Sequence, residues 1–469
     1  MRILFTTEGT YPTVVGGVST WCDQLLRGLS EQEFEVMEIT GPLPVKPSYD
    51  LPSNVVNMSS IHLWRPRKGV ARTKRMRLTQ AFQAGVEELL RFAHEDQQSF
   101  AAGLRRLSRL GSFYDLWPLF ENRVVWQHTA AAIEHLLGET PRVAEVAWAV
   151  NWLRATLVPL LFIPPQADQA HSTSNGLSAI PAWLAAKEHG VPLMLTEHGL
   201  YLRERYLGLS SEVNPPGLKL LRARFYRQLA RLIYQDATLI VSVSEFNRAW
   251  QIELGAQVER TRVVYNGVAP EAFPKANGKA QSEPTVSWVG RIDPIKDLET
   301  LISSFEHVKS SSPDAKLRLF GPVPEGNEGY YQRLAGLVSR LKLTSSVSFE
   351  GKISPVHRAY HAADVVALSS ISEGFPYVAI EAMMCGRPVV ATSVGGVGEA
   401  IGSFGRMVEP RDPQGFGAAL TELLLDAPLR QELGDGARHR ALSQFTLDHM
   451  YRGYRTLYSE LSTSSMEPA

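Results

Sequence analysis

Ile3 to Thr6 is a short run, almost wholly apolar, of the length of a strand buried on both faces. A glycine-bearing loop, Glu8 to Gly17, interrupts it, and from about Ser19 the apolar positions change period. Trp21, Leu25, Leu26 and Leu29 recur at helical spacing, which predicts strand, loop, helix. Pro192 to Thr196 and Thr238 to Val243 are further strand-like runs, each beside a helical stretch. Strands that alternate with helices imply a parallel sheet covered on both faces.

Residues 65–165 break this rhythm. Phe82 to Phe92 and Val124 to Leu137 have helical periodicity, strand signals are weak, and the stretch reads as a helical insertion in a first domain of residues 1–272. It opens with Arg65 to Arg77, which holds seven basic residues and no acid. That run fits a solvated loop leading into a helix, and also fits a patch for an anionic membrane or an acidic partner. Ala269 to Pro284, rich in Pro, Ala, Lys and Gly, marks the boundary. Beyond it, strands are expected at Val286 to Val289, Lys316 to Phe320, Val347 to Glu350, Val365 to Ser369 and Pro388 to Thr392. Helices are expected between them, including Leu298 to Val308 and Tyr330 to Leu341. The expectation is an α/β chain of two Rossmann-like, doubly wound domains facing a cleft. The second domain spans 273–448, and 449–469 form a terminal helix and polar tail.

Composition narrows the function classes. The chain has 469 residues, 44% hydrophobic and 20% charged, enough for full cores. Lys plus Arg and Asp plus Glu are 48 each, so the overall basic footprint of a nucleic-acid binder is missing. Two cysteines, Cys22 and Cys385, are too few for a disulfide scaffold or a Cys-rich zinc site. With neither a signal-peptide pattern nor a spanning apolar run, a soluble, cytoplasmic chain is expected.

Four segments carry candidate chemistry. Glu373-Gly-Phe-Pro-Tyr-Val-Ala-Ile-Glu381 follows a strand, where parallel sheets bind ligands. Pro376 suits the first turn of the next helix, and Glu381 lies about one and a half turns in. Carboxylates there can accept bonds from sugar hydroxyls, while the helix end offers N–H groups to a phosphate. Glu381 sits in a largely apolar run and needs a partner. Gly290-Arg-Ile-Asp-Pro-Ile-Lys296 places Arg291 and Lys296 at the same kind of edge, where two cations can neutralise a diphosphate. Gly16-Gly17 precedes the first helix without the Gly-x-Gly-x-x-Gly spacing of a dinucleotide site. It fits close approach by a phosphate or sugar as well as it fits a tight turn. His198 follows a strand within Thr196-Glu-His-Gly-Leu-Tyr-Leu-Arg-Glu-Arg-Tyr206. Asp-x-Asp, His-Glu-x-x-His and P-loop signatures are all missing, so no metal is expected at the site.

Taken together, Gly16-Gly17, His198, Asn266-Gly-Val268, Gly290 to Lys296 and Glu373 to Glu381 resemble, in that order, the retaining glycosyltransferases of GT-B fold, family 4. The segments Glu8-Gly-Thr-Tyr-Pro-x4-Gly-Gly-Val-Ser and Thr196 to Arg205 are most similar to the cytosolic glycosyltransferases of bacterial Pel exopolysaccharide systems. The resemblance implies a hexosyltransferase with a UDP-sugar as substrate and no resident cofactor. Arg291 and Lys296 would hold the diphosphate, Glu381 the ribose, and Glu373 the donor sugar. Gly374, Phe375, Pro376 and Tyr377 would present backbone to sugar and phosphate, and Ile353 would meet the nucleobase. His198 would stand beside the sugar, and Gly16 and Gly17 near the donor. Many relatives have His-Asp where this chain has His198-Gly199, which leaves the acceptor side open. Implied partners are a nucleotide-sugar donor, a glycan acceptor and an inner-membrane polysaccharide synthase complex, without nucleic acid. The Leu- and Arg-rich segment Gly217 to Leu232 fits either packing on its own sheet or a peripheral position at the inner membrane. Two other readings stay open, a UDP-sugar 2-epimerase and a non-catalytic nucleotide-sugar-binding subunit of a membrane synthase.

Overall fold

Seven strands build the first sheet: β1 (Arg2–Glu8), β2 (Glu33–Thr40), β3 (Val55–His62), β4 (Gln169–Ser172), β5 (Leu193–Glu197), β6 (Leu239–Ser242) and β7 (Thr261–Val263). Their spatial order is β3-β2-β1-β4-β5-β6-β7, and β1 to β6 pair parallel. Six strands build the second: β8 (Thr285–Val289), β9 (Lys316–Phe320), β10 (Val347–Gly351), β11 (Val365–Leu368), β12 (Val389–Thr392) and β13 (Gly405–Val408), in the order β10-β9-β8-β11-β12-β13. This computed structural model describes residues 1–41, 46–64, 75–276 and 283–464. The side chains of the basic run Arg65 to Arg77, the centre of the Ala269 to Pro284 boundary and the last tail residues lie outside the described residues. The chain forms two compact units. One comprises Met1–Ser242, Arg248–Arg262 and the stretch from Arg455, and the other Val243–Asn247 with Val263–Tyr454.

Four strands of the first sheet were not expected from the sequence, and β2 and β4 show why. In β2, Glu33, Glu35 and Glu38 break what would otherwise be an apolar run, yet the strand is buried along nearly its whole length. Pairing in register with β1 sets Glu35 beside Leu4 and Glu38 beside Thr7. Glu38 is fully buried, takes a hydrogen bond from the Thr13 hydroxyl, and burial pushes its carboxyl pKa up to about 7. In β4 the polar letters are also internal. Gln169 donates to the Tyr458 carbonyl at 2.8 Å, while His171 lies between the Tyr458 hydroxyl (2.6 Å) and the Thr196 hydroxyl (2.8 Å). Burial with paired hydrogen bonds hides such strands from a hydropathy pattern.

Among the described residues, 75–156 hold four α-helices: Arg75–Leu90, Gln97–Gly111, Arg123–Leu137 and Val143–Thr156. They share one core with the sheet, in which Phe82, Phe92 and Phe100 join Leu4, Ile39 and Ile61. The helix Pro216–Asp236 adds Leu221, Phe225, Leu229 and Leu232 to that core, and its Arg224, Arg227 and Arg231 all pair with Glu95. The Leu- and Arg-rich segment thus packs on its own fold, with three of its cations gathered on one carboxylate. No helix among the described residues is long and apolar enough to cross a membrane.

In the second unit, alternate residues of β11 serve two cores: Val365 and Ala367 enter one, Val366 and Leu368 the other. Both faces are therefore covered, as a parallel sheet requires, and ligand-facing groups are left to the loops at its edges.

Candidate functional site

The loops that follow β8 and β11 are tied together. Ile371 N–H donates to the Ile295 carbonyl at 2.9 Å, and the Ser369 hydroxyl to the Lys296 carbonyl at 2.8 Å. This brings Lys296, at the end of the short turn Pro294–Lys296, onto Glu373. Its Nζ donates to Glu373 Oε1 at 2.6 Å, and the Ser370 hydroxyl reaches the same oxygen at 2.6 Å. The two side chains are 23% and 14% exposed, so the pair is sheltered enough to exceed an ordinary surface ion pair. Lys296 is therefore a neutralised cation here. Arg291, two residues past β8, is exposed and, among the described residues, has no ion-pair partner.

Gly395, in the loop after β12, has φ +56°, and a Cβ there would fall 1.6 Å from the Glu373 carbonyl oxygen. Beside it Gly396 N–H donates to the Gly374 carbonyl at 3.0 Å. Only a glycine lets this loop lie on the Glu373 backbone. The Phe375 ring is buried and stacked on Tyr265 (centroids 5.0 Å apart), while Asn266 donates to its carbonyl at 3.2 Å. The Asn266-Gly-Val268 motif thus acts locally, by fixing the turn that carries the glutamate.

Pro376 is expected inside the first helical turn. Instead it stands just before the helix Tyr377–Met384, where its carbonyl accepts from Ala379 (3.2 Å) and Ile380 (3.4 Å). The carbonyls of Gly374, Phe375 and Pro376 are all engaged, so it is N–H groups rather than carbonyls that the helix start could offer a ligand. Glu381, the fifth residue of this helix, is half-buried and accepts from the hydroxyl of the fully buried Tyr360. Burial pushes its carboxyl pKa up to about 7, and the Tyr360 hydrogen bond opposes that rise. Ile353 is half-buried in the turn between β10 and the helix His357–His361.

In the first unit, Gly16 precedes the helix Gly17–Gly28, which has no side-chain cap. Its φ of 179° is ordinary extended backbone, and a Cβ there would meet nothing within 4 Å. Neither turn geometry nor internal packing calls for glycine at this position, and space lies open beside uncapped helical N–H groups. Gly17 is exposed. His198, one residue past β5, packs edge-on against Trp21 with centroids 4.4 Å apart, and burial lowers its pKa to about 3. It is a neutral imidazole at any physiological pH and can exchange hydrogen bonds without carrying charge.

Several participants carry no local sequence signal. Tyr360 and Ser370 become visible only through the glutamates they touch. Glu8, quoted above for its motif, accepts N–H bonds from Leu177 (2.7 Å) and Ser178 (3.3 Å), the Tyr201 hydroxyl (2.8 Å) and Arg205 (2.6 Å). It is occupied in joining β1 to two helix starts. Among the described residues, no group of three or more His, Cys, Asp or Glu gathers where it could hold a metal ion.

Comparison with known proteins places this geometry. Residues 1–259 match a family described as a domain of unknown function, DUF3492, and residues 270–440 match glycosyl transferases group 1. D-inositol 3-phosphate glycosyltransferase from Geodermatophilus obscurus is 30% identical over 326 residues, which cover 64% of this chain and 69% of the relative. The protein of the same description from Streptomyces bingchenggensis is 28% identical over 314 residues, covering 63% and 67%. Among solved structures, Anabaena HepE in complex with UDP aligns with a TM-score of 0.66 at 17% identity, over 98% of this chain and 100% of that one. Sucrose-phosphate synthase from Thermosynechococcus elongatus aligns with a TM-score of 0.63 at 20% identity, over 99% of each chain. The structural likenesses establish the fold, two parallel-sheet Rossmann-like domains of the GT-B kind. On the sequence matches, the loops and helix that carry Lys296, Glu373 and Glu381 are those of a chain that belongs to the glycosyltransferase group 1 family, joined to a first half that belongs to DUF3492.

Proposed function

We propose that this chain is a metal-independent, retaining glycosyltransferase of family 4 that moves a hexose from a UDP-sugar to a growing exopolysaccharide, and that it is a counterpart of PelF, the glycosyltransferase of bacterial Pel systems. The observation that carries the reading is the Lys296–Glu373 pair at the edge of the second sheet, with Glu381 one and a half turns into the helix that follows. Arg291, Lys296 and the N–H groups at the start of that helix stabilise the departing diphosphate. Glu381 accepts the ribose hydroxyls, Glu373 those of the donor sugar, and Ile353 lies against the base. In the first unit, the uncapped helix start at Gly16-Gly17 and the neutral His198 serve the donor sugar.

The bond from C1 of the sugar to the diphosphate breaks as the bond from C1 to the acceptor oxygen forms on the same face. The acceptor hydroxyl's proton passes to the departing diphosphate oxygen, and UDP leaves. Support comes from the group 1 relatives, described as glycosyltransferases, and from HepE, solved with UDP. The inositol-phosphate name of those relatives adds a second acceptor class to the test. An exopolysaccharide acceptor would place the chain beside an inner-membrane synthase.

The test is UDP release from UDP-glucose, UDP-galactose and their N-acetyl forms, with p-nitrophenyl glycosides and inositol 3-phosphate as acceptors. One donor should turn over with retained anomeric configuration, and EDTA should leave the rate unchanged. A donor isomerised without an acceptor would identify an epimerase, UDP binding without turnover a binding subunit, and abolition by EDTA would refute metal independence.

A further inference from the structure

Three glutamates gather around the end of β5, and the fold consumes two of them. Glu8 is filled by two backbone N–H groups, the Tyr201 hydroxyl and Arg205. Glu197, the last residue of β5, is buried. It accepts from the Tyr234 hydroxyl (2.6 Å), Gln251 (3.0 Å) and the Tyr201 N–H (3.4 Å). Glu204 stands outside both networks. It lies in the first turn of the helix Tyr201–Ser211, where its N–H bonds back to the Leu200 carbonyl at 3.0 Å. The residue as a whole is exposed, but its carboxylate folds back onto the peptide that follows His198.

That placement is set by Gly199. A Cβ on residue 199 would fall 2.1 Å from Glu204 Oε1, so the carboxylate occupies the space a side chain would need. Gly199 does not lie in the left-handed region, so its backbone does not demand glycine, and room for Glu204 is what the missing side chain provides. Two other glycines of this unit receive a carboxylate in the same way. Glu8 Oε2 lies 2.5 Å from the Cβ position of Gly176, and Glu145 Oε1 lies 2.6 Å from that of Gly217. In those cases the carboxylate is spent on backbone N–H groups, of Leu177 and of Gly217 itself. Against Gly199, among the described residues, no backbone N–H donates to Glu204. Shape rather than hydrogen bonding seats this carboxylate, so its lone pairs remain open to a ligand's hydroxyl donors. Desolvation of the tucked carboxyl raises its pKa, with Arg205 and Arg203 opposing the rise.

We propose that Glu204, seated in the space left by Gly199, binds the acceptor by accepting a hydrogen bond from a hydroxyl of the acceptor sugar alongside His198. The proposal rests on the glycosyl-transfer reading and gives a role to Glu204, which lies within the Thr196 to Arg205 segment and was assigned no part there. A polyhydroxylated acceptor is the ligand class, because the glycosyl-transfer reading brings hydroxyl donors to this carboxylate, which when ionised only accepts.

The experiment uses the full chain and the p-nitrophenyl glycoside that the unmodified protein glycosylates fastest. Glu204→Gln should raise the KM for that glycoside about tenfold or more, the loss expected for one charge-assisted hydrogen bond. UDP affinity by calorimetry should stay unchanged. Gly199→Ala should do the same, since its methyl displaces only the tip of a flexible side chain. Gly199→Asp combined with Glu204→Ala, which supplies a carboxylate from position 199, should recover much of the acceptor KM lost in Glu204→Ala alone. An unaltered acceptor KM in Glu204→Gln, an equal loss of UDP affinity, or a double variant no better than Glu204→Ala would each overturn the assignment. Failure of the unmodified chain to release UDP with any acceptor would instead overturn the glycosyl-transfer reading itself.

Discussion

Glu373 and Glu381 sit eight residues apart in one segment, yet the fold gives them opposite surroundings. Glu373 lies in a loop and has an ammonium and a hydroxyl on one oxygen, Lys296 Nζ and Ser370 Oγ at 2.6 Å each. Glu381 lies inside a helix, among Ile380, Ala382 and Met384, where among the described residues the phenol of Tyr360 is its side-chain hydrogen-bond partner, and its pKa is driven up to about 7. One carboxylate is compensated by charge, the other by a single neutral donor. A cation offsets the cost of burying a carboxylate, whereas a phenol offsets part of it and leaves the rest as a raised pKa. The pattern Glu-x7-Glu therefore names two groups of different chemistry, suited to different hydroxyls.

The comparison can be broken in steps of decreasing size. Lys296→Ala strips Glu373 of its cation and removes a charge from the proposed diphosphate site. Steady-state UDP release should fall by about 100- to 1000-fold, or 3–4 kcal/mol, by analogy with the loss of one donor to a developing anion. Near-normal turnover would remove Lys296 from that role. Glu381→Ala should weaken UDP binding by about 1.5–3 kcal/mol in calorimetry, the range for hydrogen bonds to a charged group. Retained affinity would take Glu381 off the ribose.

Tyr360→Phe is the subtler change, because it acts on UDP only through Glu381, and about 1 kcal/mol in UDP affinity is expected. Its sharper signature is pH dependence. Glu381 accepts hydroxyls best when ionised, and its pKa is about 7, so UDP binding should strengthen as pH rises from 6 to 8. Tyr360 donates to the ionised form and holds the pKa down, so in the Phe variant the midpoint should move higher. A midpoint that stays in place would uncouple the two residues. The sign for stability is the reverse. A folded-state pKa above the ordinary 4.5 makes the contribution of protonated Glu381 fully present below pH 4.5 and lost as pH passes about 7. Glu38 and Glu197 are also raised to about 7, so a stability profile reads all three together and binding is the cleaner measurement.

The two sheets differ in how far hydropathy reveals them. Five strands of the second sheet are expected from the sequence, and β8, β11 and β12 show as apolar runs because they are buried on both faces and free of charge. In the first sheet, β2 and β4 do not, because Glu38, Gln169 and His171 are buried polar residues whose acceptability depends on Thr13, Tyr458 and Thr196. Tyr458 comes from the C-terminal helix Leu447–Ser464, and no window around β4 contains it.

At the candidate site the division is similar. Arg291, Lys296, Glu373 and Glu381 stand out in the sequence because they follow strands, and strand ends in a parallel sheet must open onto loops. Periodicity and motif order alone determined the alternating α/β plan, the two halves and these candidate positions, because such signals are local and repeat every two or 3.6 residues. The tertiary structure alone decided that Lys296 meets a residue 77 positions away, that Tyr360 rather than a cation serves Glu381, and that Glu204 fills the space beside Gly199. Ion pairing, desolvation and steric vacancy depend on distance in space, and crossover connections bring together residues that no local pattern relates.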